Sequence, residues 1–156
     1  MELPKLSNVT ESKLRKKKKI LLLSDDLRMS SGVGTMSREI VVGTIDKYDW
    51  VQIGGAIKHP DNGKVFDMNN SVREETGIQD ANLKIYPIDG YGNQEFLRSI
   101  MDLEKPDAIL HYTDPRFWGW LYDMEHEIRQ NIPIFYYNIW DDLPYPRWNE
   151  PFYESC

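Results

Sequence analysis

The chain alternates short apolar runs with stretches of helical periodicity, and few architectures accept that rhythm. Lys19 to Ser24 (KILLLS) reads as a short buried strand. From Gly32 onward, Val33, Met36, Ile40, Val41, Thr44 and Ile45 recur at helical spacing behind a Ser30 or Ser31 cap. That helix is expected to end near Asp46-Lys47. Trp50 to Ala56 (WVQIGGA) follows as a strand whose Gly54-Gly55 either ends it or lets another backbone approach. Lys84 to Pro87 is a third strand, and Asn93 then caps a helix with Phe96, Leu97, Ile100 and Met101 on one face. Ala108 to Tyr112 is a fourth strand, Pro115 opens an aromatic-rich helix, and Ile134 to Ile139 is a fifth strand. Only residues 57–82 break the pattern. Pro60, Asp61-Asn62-Gly63 and Asn69-Asn70 are turn signals there, so a loop or small hairpin excursion is expected.

This alternation predicts an α/β fold: a mainly parallel sheet, wound right-handedly, with helices on both faces in a Rossmann-like three-layer sandwich. Ligands in such sheets sit beyond the carboxyl ends of the strands. The informative loops are therefore 24–34, 54–58, 88–93, 111–116 and 140–148.

Charge and residue usage remove several function classes. The 156 residues suit one domain, and 40% hydrophobic with 28% charged content is ordinary for a soluble globular protein. A net charge of -6 argues against a nucleic-acid partner. The basic run Lys13 to Lys19 closes a polar tail, residues 1–18, read as a flexible solvated leader, and runs into the first strand. Ile20 to Leu23 is too short for a signal-peptide core or a membrane span, so no integral membrane segment is expected and a cytoplasmic location is the default. Cys156 is the single cysteine, which leaves no internal disulfide framework. His59, His111 and His126 are too scattered for a zinc site, and neither a metal nor a cofactor is expected.

The loop before the first helix carries the strongest chemical signal. Gly32-Val33-Gly34-Thr35-Met36-Ser37 matches a dinucleotide fingerprint at two glycines only, and no acid ends the second strand. No Gly-Lys-Ser/Thr follows, so a nucleotide P-loop is absent. Asp25-Asp26 resembles the acidic pair of a phospho-receiver domain, but the acceptor aspartate and the lysine that chemistry needs are missing. What remains is an anion-binding loop, with the amides of Gly32, Val33, Gly34 and Thr35 at the positive end of a helix dipole. The structural alternative stays open: Gly32 and Gly34 merely permit a tight turn and close packing.

Two further strand-end segments concentrate reactive groups, His111-Tyr112-Thr113-Asp114-Pro115 and Trp140-Asp141-Asp142-Leu143-Pro144. A histidine or carboxylate there could position or deprotonate an acceptor hydroxyl. Asp114 reads equally well as a cap before Pro115, and His111 as a satisfied side chain at the edge of the core. Some aromatics among Phe117, Trp118, Trp120, Tyr122, Phe135, Tyr136, Tyr137 and Trp140 could stack on a sugar or base; most belong to the core.

Taken in order, "KILLLSDDLRMSSGVGTMSREI", "EKPDAILHYTDP" and "WDDLPYPRWNEPFYESC" resemble the N-terminal half of a GT-B-fold glycosyltransferase. The likeness is to the retaining family of glycogen-synthase-like and lipopolysaccharide sugar transferases (glycosyltransferase family 4), and it spans residues 19–156. It implies an acceptor-side Rossmann-like domain, with a nucleotide-diphosphate sugar and a sugar acceptor as substrates. It further implies a separate C-terminal donor-binding domain as partner. By the resemblance, Gly32 to Thr35 lie against the donor diphosphate or an acceptor phosphate. His111 to Asp114 and Asp141 to Asp142 face the transferred sugar, with His111 or Asp142 orienting the acceptor. Two departures stand out: Thr113 occupies the nearest equivalent of a histidine usual after strand four, and Trp140 precedes Asp141 where His-Asp is common. No pair of glutamates eight positions apart is present, so the donor domain's Glu-x7-Glu motif is missing. The chain is expected to be inactive by itself. The rival expectation is a non-catalytic Rossmann-like module that grips an anion or a protein.

Overall fold

A computed structural model describes residues 17–58, 60–140, 143–144 and 146–155. Six strands form one sheet in the order β3-β4-β2-β1-β5-β6. These are β1 (Lys18–Asp25), β2 (Tyr48–Ile57), β3 (Phe66–Asp67), β4 (Leu83–Asp89), β5 (Ala108–Tyr112) and β6 (Ile134–Tyr136). Every pairing is parallel except that of β3 with β4. Helices α1 (Gly32–Thr44), α2 (Asn69–Thr76), α3 (Gln94–Glu104), α4 (Gly119–Asp123), α5 (Glu125–Arg129) and α6 (Glu150–Glu154) complete the element order. The architecture is the expected α/β sandwich with a Rossmann-like, mostly parallel sheet.

Side chains alternate across the pleat, so successive leucines of β1 feed opposite layers. Leu21 and Leu23 join Val51, Ile53, Ile109 and Ile134 beneath Leu97 and Ile100 of α3 and Leu121 and Ile128 of α4 and α5. Leu22 faces the other way, joining Trp50, Leu83, Ile85 and Tyr112 beneath Val41 and Ile45 of α1 and Val72 of α2. Continuous apolar strands such as ILLL are what a parallel sheet covered on both faces requires.

Local departures from expectation have local causes. The excursion at 57–82 holds the two-residue strand β3, antiparallel to β4, and a helix, α2, that its turn-rich sequence hides. Val72 is the one fully buried residue of α2, which leaves almost no apolar periodicity to read. After Pro115 the chain does not form one helix: a 3-10 turn (Pro115–Trp118) precedes α4 and α5. The last strand stops at Tyr136, three residues short of Ile139.

At the amino end of the sheet, α3 finishes on a buried acid. Glu104 is 5% exposed and sits at a helix C-terminus, where the dipole disfavours a carboxylate. Its Oε1 accepts from Lys84 Nζ (2.9 Å) and Tyr86 Oη (2.6 Å), and its Oε2 accepts from Lys19 Nζ (3.0 Å). Burial alone would push its pKa up; the donors from Lys84, Tyr86 and Lys19 prevail and hold it at about 2. One side chain thereby clamps β1, β4 and α3 together.

Candidate functional site

The chain leaves β1 toward β2 and β4 on one side, then returns through α3 to β5 on the other. The carboxyl ends of β1 and β5 therefore flank the topological switch point, where open α/β sheets hold ligands. Asp25 ends β1 and Tyr112 ends β5, with Thr113 and Asp114 immediately after.

A buried polar network builds the β1–α1 loop. Gln52, fully buried on β2, donates through Nε2 to Ser24 Oγ (2.7 Å) and to the Asp25 carbonyl (2.8 Å). Its Oε1 accepts from the Leu27 amide at 3.1 Å, and Ser37 Oγ donates to Ser24 Oγ at 3.0 Å. Asp26 is also fully buried, and a two-pronged pairing with Arg28 (2.7 and 3.0 Å) neutralises it. That arrangement gives Asp26 a structural task. The glycine pair of β2 makes room for two loops at once. A Cβ on Gly54 would lie 3.0 Å from Asp26, and one on Gly55 would lie 2.7 Å from the Gly90 carbonyl.

The helix mouth is largely occupied by the chain itself. Ser31 caps α1: its Oγ accepts from the Gly34 amide (2.9 Å), and its carbonyl accepts from the Thr35 amide (2.8 Å). Gly34 is buried, and a Cβ there would meet the carbonyls of Met29 (2.7 Å) and Asp26 (2.9 Å). Its glycine is thus explained by close packing. A Cβ on Gly32 would meet nothing within 4 Å, and Gly32 and Thr35 are exposed on the rim. Of the amides singled out from the sequence, those of Gly34 and Thr35 are spent internally. Gly32 and Val33 supply the first-turn amides without a partner among the described residues.

Beside the cap lies a carboxylate to which the sequence reading gave no role. Asp25 Oδ2 accepts from Ser31 Oγ at 3.4 Å and Oδ1 from Thr113 Oγ1 at 3.5 Å, both at the outer limit of hydrogen bonding. Among the described residues no cation pairs with it. Burial raises its pKa, and the Ser31 and Thr113 hydroxyls only partly offset that rise. Tyr91, from the loop after β4, has its own pKa raised by burial and by the charges of Asp25 and Asp114. Its ring stacks on Phe117 at 4.8 Å with planes 9° apart, and Phe117 is 52% exposed. The strand ends thus gather a carboxylate and two hydroxyls, with the Tyr91 ring near enough to feel the carboxylate's charge.

The other residues named from the sequence fall in different places. His111 is 0% exposed, on the face beneath α4, with Trp118 and Tyr136 beside its ring and Nδ1 2.8 Å from Tyr122 Oη. Burial drives its pKa down to about 3, against a small upward push from Asp114. A side chain so enclosed cannot reach an acceptor at the rim. Asp114 caps the 3-10 turn through the Arg116 amide (2.9 Å) and pairs with the Arg116 guanidinium, so the structural reading accounts for it. Arg116 in turn lies 6.0 Å from the Trp140 ring. Asp141 and Asp142 lie outside the described residues, as does His59, while His126 is exposed.

Among the described residues no group of three His, Cys, Asp or Glu side chains is placed to hold a metal ion, and no helix is long and apolar enough to cross a membrane. No protein-family model matches the chain, and neither curated proteins nor solved structures yield a match.

Proposed function

We propose that the chain is the acceptor-side domain of a glycosyltransferase that moves a sugar from a nucleotide-diphosphate sugar to an acceptor hydroxyl. The observation that carries this reading is the union, at one switch-point crevice, of an anion-attracting rim and a partly desolvated carboxylate. The rim donors are the Gly32 and Val33 amides with the exposed Thr35, at the positive end of α1; they suit the donor diphosphate. The carboxylate is Asp25, whose raised pKa suits it to accept a proton from, or orient, an attacking hydroxyl. Asp25 replaces His111 as the group assigned to the acceptor, because His111 is sealed in the core. A second Rossmann-like domain would hold the nucleotide, as the resemblance of the three strand-loop segments implies.

Titration of the isotope-labelled chain with nucleotide-diphosphate sugars, followed by amide chemical shifts, tests the assignment. Binding should move Gly32, Val33 and Thr35 and leave the amino end of the sheet unchanged. Gly34→Asp, which places a charge and a side chain inside the packed loop, should abolish the response. The internal use of the Gly34 and Thr35 amides favours the competing reading, a non-catalytic binding module. If no nucleotide sugar perturbs the rim while the fold is intact, that module is the correct description.

A further inference from the structure

We propose that the acceptor held in this crevice is an uncharged, hydroxyl-rich ring, a free saccharide or glycoside, and that the site rejects phosphorylated acceptors. The inference rests on the glycosyltransferase reading and names the substrate class for its inner subsite.

The charges that meet at the inner crevice are unbalanced. Asp25 has no cationic partner among the described residues, and its two hydroxyl contacts are long, at 3.4 and 3.5 Å. Carboxylate lone pairs are therefore open to a ligand's O–H groups, which are donors, whereas a phosphate ester, largely dianionic at neutral pH, meets them mainly as a like charge. Among the described residues, Arg28 is engaged with Asp26 and Arg116 with Asp114. An anion seated against Asp25, inward of the Gly32 and Val33 amides, would meet the carboxylate's charge unless one of these pairs opened to screen it. Neutral acceptors ask for no such exchange.

Shape points to the same ligand. Phe117 backs onto Tyr91 with one ring face and offers the other to solvent. Gly55 brings the Tyr91 loop against β2, opposite Asp25 in register, near enough for the Asp25 charge to act on the Tyr91 ring. An exposed aromatic face beside a hydrogen-bond acceptor matches a pyranose, whose C–H face packs on the ring while its hydroxyls reach the carboxylate. Thr113 and Ser31 contribute hydroxyls that both donate and accept, as a polyol requires.

The test compares neutral saccharides with their phosphate esters, using the full chain and chemical shifts of Asp25, Tyr91, Thr113 and Phe117 as the readout. Neutral ligands should bind at least about tenfold more tightly than their phosphates at low salt, and the gap should narrow as salt is raised. Asp25→Asn should abolish most of the discrimination. Phe117→Ala, at an exposed position where folding is not at stake, should weaken neutral ligands by roughly threefold to tenfold. Phosphate esters binding as well as, or better than, the neutral sugars would overturn the proposal, as would neutral sugars that leave these residues unmoved. Nucleotide-sugar shifts at Gly32, Val33 and Thr35 in the same samples separate the two failures. If they persist, the transferase reading stands and only the acceptor class is wrong.

Discussion

Acidification should expose the cost of enclosing His111. Its ring lies on the α4 side of β5, sealed by Trp118, Tyr122 and Tyr136, and its pKa falls from the ordinary 6.5 to about 3. Because the folded pKa is depressed, the neutral ring's stabilising effect is complete above pH 6.5 and declines as pH falls toward 3. The unfolded chain takes up the proton first. Each pH unit in that window removes about 1.4 kcal/mol, which amounts to about 3 kcal/mol by pH 4.5. Glu104 contributes little to the change before pH 4.5, since its depressed pKa withdraws stability only below the ordinary carboxylate value. Urea denaturation of the wild type and of His111→Gln, at several pH values from 7 to 4.5, isolates the effect. The glutamine amide does not titrate and retains a partner for Tyr122 Oη. At pH 7 the variant should be the less stable protein, through poorer packing, and the difference should shrink or invert by pH 4.5. Parallel pH profiles for the two proteins would refute the reasoning, because the histidine would then have to titrate alike in folded and unfolded chains.

Three other outcomes follow from the geometry. Gly34→Ala should destabilise the fold by about 1–3 kcal/mol in the same denaturation assay, because its methyl group would overlap the Met29 and Asp26 carbonyls; Gly32→Ala should cost far less. Glu104→Gln should lose about 2–3 kcal/mol at pH 7, a figure held down by the partial exposure of Lys19 and Lys84, and should flatten the stability loss below pH 4.5. Ala56→Gly should be neutral or stabilising by up to about 1 kcal/mol, since Ala56 holds a φ of 84° at the β2 register shift; a clear loss of melting temperature would contradict the strain.

The fold was legible because burial in a parallel sheet leaves an unmistakable trace: ILLL, WVQI and AILHY are runs that little else would tolerate on both faces. Segments with one buried residue left no trace. Helix α2 presents NNSVREET, polar but for Val72, and its position is set by packing on β4 rather than by its own periodicity. The break after Trp118 was hidden for the opposite reason, since Phe117 to Tyr122 holds no charged side chain to fix a helical frame. Around the β1–α1 loop, the sequence showed the glycines but not what packs on them. Glycine at 34 answers to carbonyls packed against it, which no local pattern reports. Asp25 was visible as an acid at a strand end, yet its contact with Thr113, far along the chain just after a neighbouring strand, was not. Gln52 could have drawn attention as a lone amide within WVQIG, because a polar side chain inside a buried strand must have partners.

The Glu104 clamp fastens β1, β4 and α3 at the end of the sheet remote from the crevice. Anchorage and the proposed binding crevice thereby lie at opposite ends of the sheet. A scaffold divided in this way should tolerate exchange of the loops after β4 and β5 without losing its foundation.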